Sequence, residues 1–364
     1  MKLGIIGLPN VGKSTLFNAL TRGHAPATNY PFCTIDQNVG VAVVPDERLE
    51  KLGQILRPPQ LTPTHIDFVD IAGLVKGASH GEGLGNQFLS HIRNVDAVVH
   101  VIRCFEDEKV SHVDGTLDPQ RDIEVVETEL ILADLEMVER RLSKTKKLAK
   151  AGQAEIKRET ALLEQVKEAL EGGNPAEKLS LSQEELDCLK DTPLLTIKAQ
   201  FYVANIDEGS LAEGNDYSRA VAEHAASAGR EVVNVSSKLE SELIDLSPEE
   251  AREFLQSYGV AESSLEKVIK IGYRLLDLIT FYTIAGGNEV RAWILKRGQR
   301  APAAAAKVHS DMERGFIKAE VMKFKDLERF GTEHVVREHG LLAIEGKDYV
   351  VQDGDVLTIR FHAG

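Results

Sequence analysis

The 364-residue sequence predicts an α/β fold: a parallel sheet built around a phosphate-binding turn, a helical insertion, and a small mixed domain at the C-terminus. Three observations predict it. The run Gly7-Leu-Pro-Asn-Val-Gly-Lys-Ser14 stands between a short apolar stretch and a helical one. Between Phe105 and Phe201 lie about 95 highly charged residues with helical periodicity, more than a compact nucleotide domain needs. Residues 281–364 then alternate strand-like runs with one helical stretch.

The first element is the apolar run Lys2–Ile6, a buried strand, and the helix opens at Thr15-Leu16-Phe17. Strand, loop and helix in that order are the context a G-x-x-x-x-G-K-[ST] loop requires. Gly7 and Gly12 let the backbone turn its N–H groups inward, at little cost without a Cβ. The N–H groups of Asn10, Val11, Gly12, Lys13, Ser14 and Thr15 are expected to cradle phosphates. Lys13 supplies a point charge to the β- and γ-phosphates and so counts as catalytic, and the Ser14 hydroxyl is a Mg²⁺ ligand. This chain is expected to bind a nucleoside triphosphate.

The next element, His65–Asp70, has alternating apolar positions and ends in Asp70-Ile-Ala-Gly73. An Asp there is placed to hold Mg²⁺, and the Gly73 N–H can approach the γ-phosphate. Thr34, in Tyr30-Pro-Phe-Cys-Thr34, is placed to reach Mg²⁺ once the γ-phosphate is bound; an ordinary loop threonine is the plainer alternative. Ras-type switches carry a water-positioning Gln after D-x-x-G, where this chain has Leu74. An apolar side chain cannot orient water, so hydrolysis is slow or another group does that work. His80 and His112 lie in loops and are candidates, although a loop histidine is most simply solvated. His100 lies inside the strand Val95–Phe105 and is expected to be a satisfied core histidine.

The buried strand Phe201–Ala204 runs into Asn205-Ile-Asp-Glu208, where a GTPase shows N-K-x-D. In that motif the Asp accepts hydrogen bonds from guanine N1 and N2 while the Lys packs along the ring. Here Ile206 replaces the Lys, and Glu208 is one methylene longer than the Asp. Asn205 can still hydrogen-bond a base, and adenine offers an N6 donor. Misplaced polar groups of this kind can discriminate by orders of magnitude. Ser236, in Asn234-Val-Ser-Ser-Lys238 after the strand Glu231–Val235, looks like part of the last base-contacting loop.

Composition adds limits. With 43% hydrophobic and 27% charged residues the chain is an ordinary globular protein, and no apolar stretch approaches the roughly 18 residues of a membrane span. The N-terminal apolar run is broken by Pro9, Asn10 and Lys13, so it is no secretory signal. Cys33, Cys104 and Cys188 lie far apart, which suits reduced thiols and a cytoplasmic location without membrane partners. The net charge of −14 argues against broad nucleic-acid binding, yet residues 281–364 carry 13 Lys and Arg against 12 Asp and Glu. A neutral C-terminal module can meet RNA through a local face.

The long interval carries Ile131, Leu135, Val138, Leu142, Thr145 and Ala149 at alternating steps of four and three. After Ala151-Gly-Gln153 a second run shows Ile156, Leu163, Val166 and Leu170. Two antiparallel helices forming a short coiled-coil arm is the economical reading. Arg140, Arg141, Lys144, Lys146, Lys147 and Lys150 could contact RNA or simply form a solvated face. In the last domain, Val290–Leu295, Tyr349–Val351 and Val356–Phe361 are strand-like, and the helical stretch spans Ala303–Gly315.

Taken together, the motifs Gly7–Ser14, Tyr30–Thr34, Asp70–Ala78, Gly81–Phe88, Asn205–Glu208 and Gly354-Asp-Val-Leu-Thr-Ile-Arg360 resemble the Obg-like ATPases of YchF type, within the Obg group of P-loop NTPases. The match runs in order along the whole chain. The resemblance implies a Ras-like G domain with a C-terminal TGS domain of β-grasp fold, and a preference for ATP over GTP. It implies a hydrophobic residue in place of the catalytic Gln, matching Leu74, and a catalytic histidine in the loop after the strand, mapping onto His112. It associates K⁺ with the phosphate-loop Asn10, and it implies ribosome association. It assigns nothing to His80.

The expected division is 1–122 and 193–280 for the two parts of the NTPase domain, 123–192 for the helical insertion, and 281–364 for the β-grasp domain. The expected function is a Mg²⁺-dependent, monomeric ATPase acting as a nucleotide-gated switch on the ribosome. Two alternatives stay open: a GTPase in which Glu208 does read guanine, and a nucleotide-gated binding module with incidental hydrolysis. No acceptor-substrate site is visible, which disfavours a metabolic kinase.

Overall fold

Apolar runs flanked by turn residues become central strands of a parallel sheet wherever helices cover both of its faces, and the run Ala97–Cys104 is buried at every position. In a computed structural model of the chain, the described residues are 1–22, 38–71, 73, 84–110, 112, 115–149 and 154–362. In chain order the strands are β1 (Lys2–Ile6), β2 (Val39–Val43), β3 (Gln60–Thr62), β4 (His65–Asp70), β5 (Ala97–Cys104), β6 (Gln200–Ile206), β7 (Val232–Val235), β8 (Leu278–Ala285), β9 (Glu289–Lys296), β10 (Phe316–Lys323), β11 (Ala343–Glu345) and β12 (Asp355–Phe361). The helices used below are α1 (Lys13–Arg22), α2 (Glu47–Leu56), α3 (Leu84–Arg93), α4 (Pro119–Ala149), α5 (Ala154–Glu171), α6 (Gln183–Cys188), α7 (Asp216–Ser227) and α8 (Ser237–Leu243).

The chain divides into two units, Met1–Gly40 with Asp67–Val268, and Val41–Ile66 with Ile269–Gly364. In the first, the sheet order is β2-β4-β1-β5-β6-β7, and β1 pairs in parallel with both β4 and β5. Strand order reverses at β1, and ligands of open α/β sheets bind outside the strand ends at such a point. The phosphate loop follows β1 there. His100 of β5 is buried beside Tyr202, with ring centroids 5.6 Å apart, and burial lowers its pKa to about 4. It is a neutral core histidine, but its Nδ1 has no hydrogen-bond partner among the described residues, so the expected full satisfaction is corrected.

The helix α4 begins at Pro119, ahead of the expected domain boundary at 123, and proline is well placed in a first helical turn. Val138, Leu142 and Thr145 of its predicted stripe are buried. They lie on the face of α4 that meets Leu162, Leu163, Val166 and Leu170 of α5. Ion pairs Lys167–Glu139 at 2.7 Å, Lys146–Glu164 at 2.9 Å and Arg141–Glu159 at 2.6 Å set the two helices antiparallel. Arg140 also pairs, with Glu136 at 3.1 Å, so half of the basic run serves the arm's own acids. Lys150 lies outside the described residues. At the root, the buried Asp134 carboxylate accepts from Leu195 N–H and Thr196 N–H, each at 2.8 Å, and from Thr196 Oγ1 at 2.7 Å. Three such bonds tie α4 to the segment that returns to β6.

The second unit holds a mixed sheet of order β11-β10-β12-β8-β9-β3. β8–β9 and β10–β12 are antiparallel, whereas β12 runs parallel to β8. α2 and β3, within residues 41–66 and expected in the NTPase domain, belong to this unit. β3 pairs in parallel with β9, and Leu49 and Leu52 of α2 pack with Tyr282, Val290 and Val356. Leu49, Leu52 and Leu56 recur at helical spacing, but spacing alone does not say which sheet an apolar face covers. The run Tyr349–Val351 is no full strand; it supplies a single bridge, Arg300 to Val350. The expected helical stretch Ala303–Gly315 is two short helices, Ala301–Val308 and Ser310–Arg314. No helix among the described residues is long and apolar enough to cross a membrane.

Candidate nucleotide-binding site

The loop after β1 adopts a backbone only glycines tolerate easily. Gly7 and Gly12 have φ of 149° and 97°, and a Cβ on Gly12 would collide with Asn205 Nδ2. Asn10, at φ 63°, takes the left-handed conformation that Asn tolerates better than most residues. Leu16 N–H donates to the Gly12 carbonyl at 2.9 Å, so α1 starts within the loop and points its free N–H groups toward it. Ser14 and Thr15, in that first turn, are exposed.

Lys13 is folded back over the loop: its Nζ donates to the Leu8 carbonyl at 2.7 Å, and the residue is only 7% exposed. Burial pushes its pKa down to about 8, and the Asp70 carboxylate works in the opposite direction. Gly73 passes close by, since a Cβ there would stand 3.1 Å from Lys13 Nζ and 3.1 Å from the Pro9 nitrogen. Ser14 Oγ donates to Asp70 Oδ2 at 2.8 Å. Asp70 Oδ1 is buried with no partner among the described residues. An orphaned buried acceptor costs roughly 1–3 kcal/mol, more when charged. A hard divalent cation that takes hydroxyl and carboxylate oxygens fits this pair. Thr34, Leu74 and His80 lie outside the described residues.

The base loops are tied to the phosphate loop by Asn205. Its Nδ2 donates to the Val11 carbonyl at 2.9 Å, and its Oδ1 accepts from Ser237 N–H at 3.0 Å. The amide therefore serves as a strut, and it keeps a second Nδ2 hydrogen beyond the bond to Val11 for the base contact expected of it. The Ile206 side chain is also not where a base contact would need it. It is 2% exposed and packs with Cys104, Tyr202 and Leu211, because an apolar side chain gains about 2–3 kcal/mol from the core. Only its backbone is left for a ligand. Glu208 Oε1 lies 2.6 Å from Lys238 Nζ, and this partner holds the carboxyl below its usual pKa. Ser236 is buried as the N-cap of α8, and Ser237 Oγ is buried without a partner among the described residues.

His112 Nε2 lies 2.9 Å from Asp122 Oδ2, with the two side chains 8% and 3% exposed. Asp122 stands in the first turn of α4. It was not singled out from the sequence, because an acid in a first helical turn has an ordinary dipole explanation, whereas Lys238 ends the stretch expected to form the last base-contacting loop.

Residues 2–157 match the profile of a family described as "50S ribosome-binding GTPase". Residues 278–362 match the YchF-GTPase_C profile, described as a protein of unknown function. A Bacillus subtilis (strain 168) protein called "Ribosome-binding ATPase YchF" is 50% identical over 361 residues, covering 99% of this chain and 98% of that one. The chain belongs to the YchF family. A YchF relative of the same description from Haemophilus influenzae is 49% identical over 361 residues, covering 99% of each chain. The structure of the Schizosaccharomyces pombe YchF GTPase is similar at a TM-score of 0.90 and 38% identity, over 99% of this chain and 97% of that one. A GTP binding protein from Pyrococcus horikoshii OT3, at TM-score 0.63 and 19% identity over 100% of each chain, shares the fold. The names of these YchF relatives divide between ATPase and GTPase, so the base has to be argued from the site.

Proposed function

We propose that the chain hydrolyses ATP in preference to GTP, with Mg²⁺, and works as a nucleotide-gated switch on the ribosome in the cytoplasm. The observation that carries the ATP reading is the state of Asn205-Ile-Asp-Glu208. Ile206 is buried, so no lysine flanks the ring. Asp207 is spent on a turn, accepting from Ser210 N–H at 3.0 Å, and Glu208 is paired with Lys238. Neither carboxylate of this motif is left without a partner to meet guanine N1 and N2. Ribosome association is carried over from the names of the bacterial relatives at 49–50% identity.

In this reading the loop N–H groups from Asn10 to Thr15 and at Gly73 hold the phosphates. Lys13 neutralises charge that builds on the β–γ bridge, and Ser14, Asp70 and Thr34 would hold Mg²⁺. When bound, Mg²⁺ screens phosphate charge and fixes the geometry of the transferred group. His112 orients the attacking water. A cation beside Asn10, K⁺ by family resemblance, would add charge at the same phosphates.

The experiment is calorimetric binding of ATP and GTP with Mg²⁺ to the purified protein. ATP tighter by tenfold, about 1.4 kcal/mol, supports the reading; GTP tighter by that margin overturns it.

A further inference from the structure

The buried Ile206 and the paired Glu208 disfavour guanine, but neither favours adenine. We propose that Lys238 is the specificity-determining residue of the base site, an inference that rests on the ATP reading. Two groups converge there from different loops. Glu208 follows β6, whereas Lys238 lies in the first turn of α8, and their charged atoms are 2.6 Å apart. The Lys238 side chain is 75% exposed and that of Glu208 26%, so the lysine stands toward solvent while the glutamate is largely covered.

The chemistry of the two purines supplies the rest. A carboxylate at the Glu208 position of a G domain meets guanine at N1–H and the N2 amino group, both donors. Adenine presents a lone pair at N1 and no amino group at C2. An ammonium at that edge donates to adenine N1 and opposes the guanine N1–H. Lys238 therefore acts twice: it ties up the acceptor that guanine needs and supplies the donor that adenine can use. Selectivity then comes as much from what repels the wrong base as from what holds the right one.

An exposed ion pair alone contributes little to folding. Substitutions at Lys238 should therefore leave the fold intact and change the ratio of base affinities instead. The test is calorimetric binding of ATP, GTP and ITP, each with Mg²⁺, to the full chain and to Lys238→Ala and Lys238→Arg. In Lys238→Ala the ATP-to-GTP affinity ratio is expected to fall at least fivefold, ATP weakening as GTP tightens. Lys238→Arg keeps a cationic donor and is expected to hold the ratio within about twofold of the parent. ITP keeps N1–H but lacks the N2 amino group, so it is expected to bind the parent as poorly as GTP.

A ratio unchanged in Lys238→Ala overturns the inference even while the parent prefers ATP, and so does ITP binding as well as ATP. A parent that does not prefer ATP instead overturns the ATP reading on which the inference stands.

Discussion

Asp122 Oδ2 holds His112 Nε2 at 2.9 Å, inside the first turn of the long helix that forms the arm. A ring that is 8% exposed is stored rather than presented. If His112 orients water, this contact has to loosen before hydrolysis. Replacing Asp122 by Asn trades a charge-assisted bond for a neutral one, a difference of about 1 kcal/mol. Single-turnover hydrolysis of bound ATP should then rise roughly fivefold. The rise should vanish in a His112→Ala background; a rise of the same size there would detach Asp122 from His112.

His112→Ala itself should lower turnover by about 10²-fold with nucleotide affinity unchanged, the usual worth of a positioned proton-transfer group. Wild-type turnover from a variant that still binds ATP would remove His112 from the mechanism.

Lys13 should make nucleotide binding depend on pH. Burial lowers its pKa to about 8 in the free protein, and triphosphate charge raises it again on binding. Binding near pH 8 should therefore take up protons, and affinity should fall as pH climbs through 8. Calorimetry in buffers of different ionisation enthalpy counts those protons; no uptake at pH 8 would contradict the burial effect. For folding the linkage runs the other way. Between pH 8 and 10.5 the unfolded chain binds more protons at this residue, so the nucleotide-free fold gains stability as pH rises across that window.

The pairing of Ser14 with Asp70 predicts the response to metal removal. Excess EDTA should abolish turnover, and Ser14→Ala should raise the Mg²⁺ concentration needed for half-maximal activity by about 10- to 100-fold. A Ser14→Ala protein with an unchanged Mg²⁺ requirement would take the hydroxyl out of the metal site.

At the arm root, Asp134→Ala strands the Leu195 and Thr196 N–H groups that the carboxylate now satisfies. Two buried orphans, at roughly 1–3 kcal/mol each, should cost about 3 kcal/mol or more in urea unfolding. Asp134→Asn, which keeps an acceptor oxygen, should cost less.

The legible parts of the fold were those with a local signature. Gly7 and Gly12, the strand His65–Asp70 and the stripe Val138–Leu142–Thr145 each follow from spacing or from a backbone only glycine takes easily. What escaped depends on partners far along the chain. Leu49 and Leu52 mark a helix, but only the surfaces of Tyr282 and Val290 decide which sheet receives it. Asp122 looks like a helix-start acid until His112 is found against it. Ile206 sits at a motif position whose usual occupant reaches the ring, yet the strand turns its side chain into the core. In each case the type of residue was readable and its direction was not.

The strut made by Asn205 has a consequence for how the two ends of a nucleotide are sensed. Its amide joins the Val11 carbonyl of the phosphate loop to the Ser237 N–H of the base loop, so neither loop can shift without loading the other. Pyrophosphate, which has no base at all, should therefore lose affinity for an Asn205→Ala protein along with ATP. The residue that looks most like a reader of the base would then behave as a hinge pin for both grips.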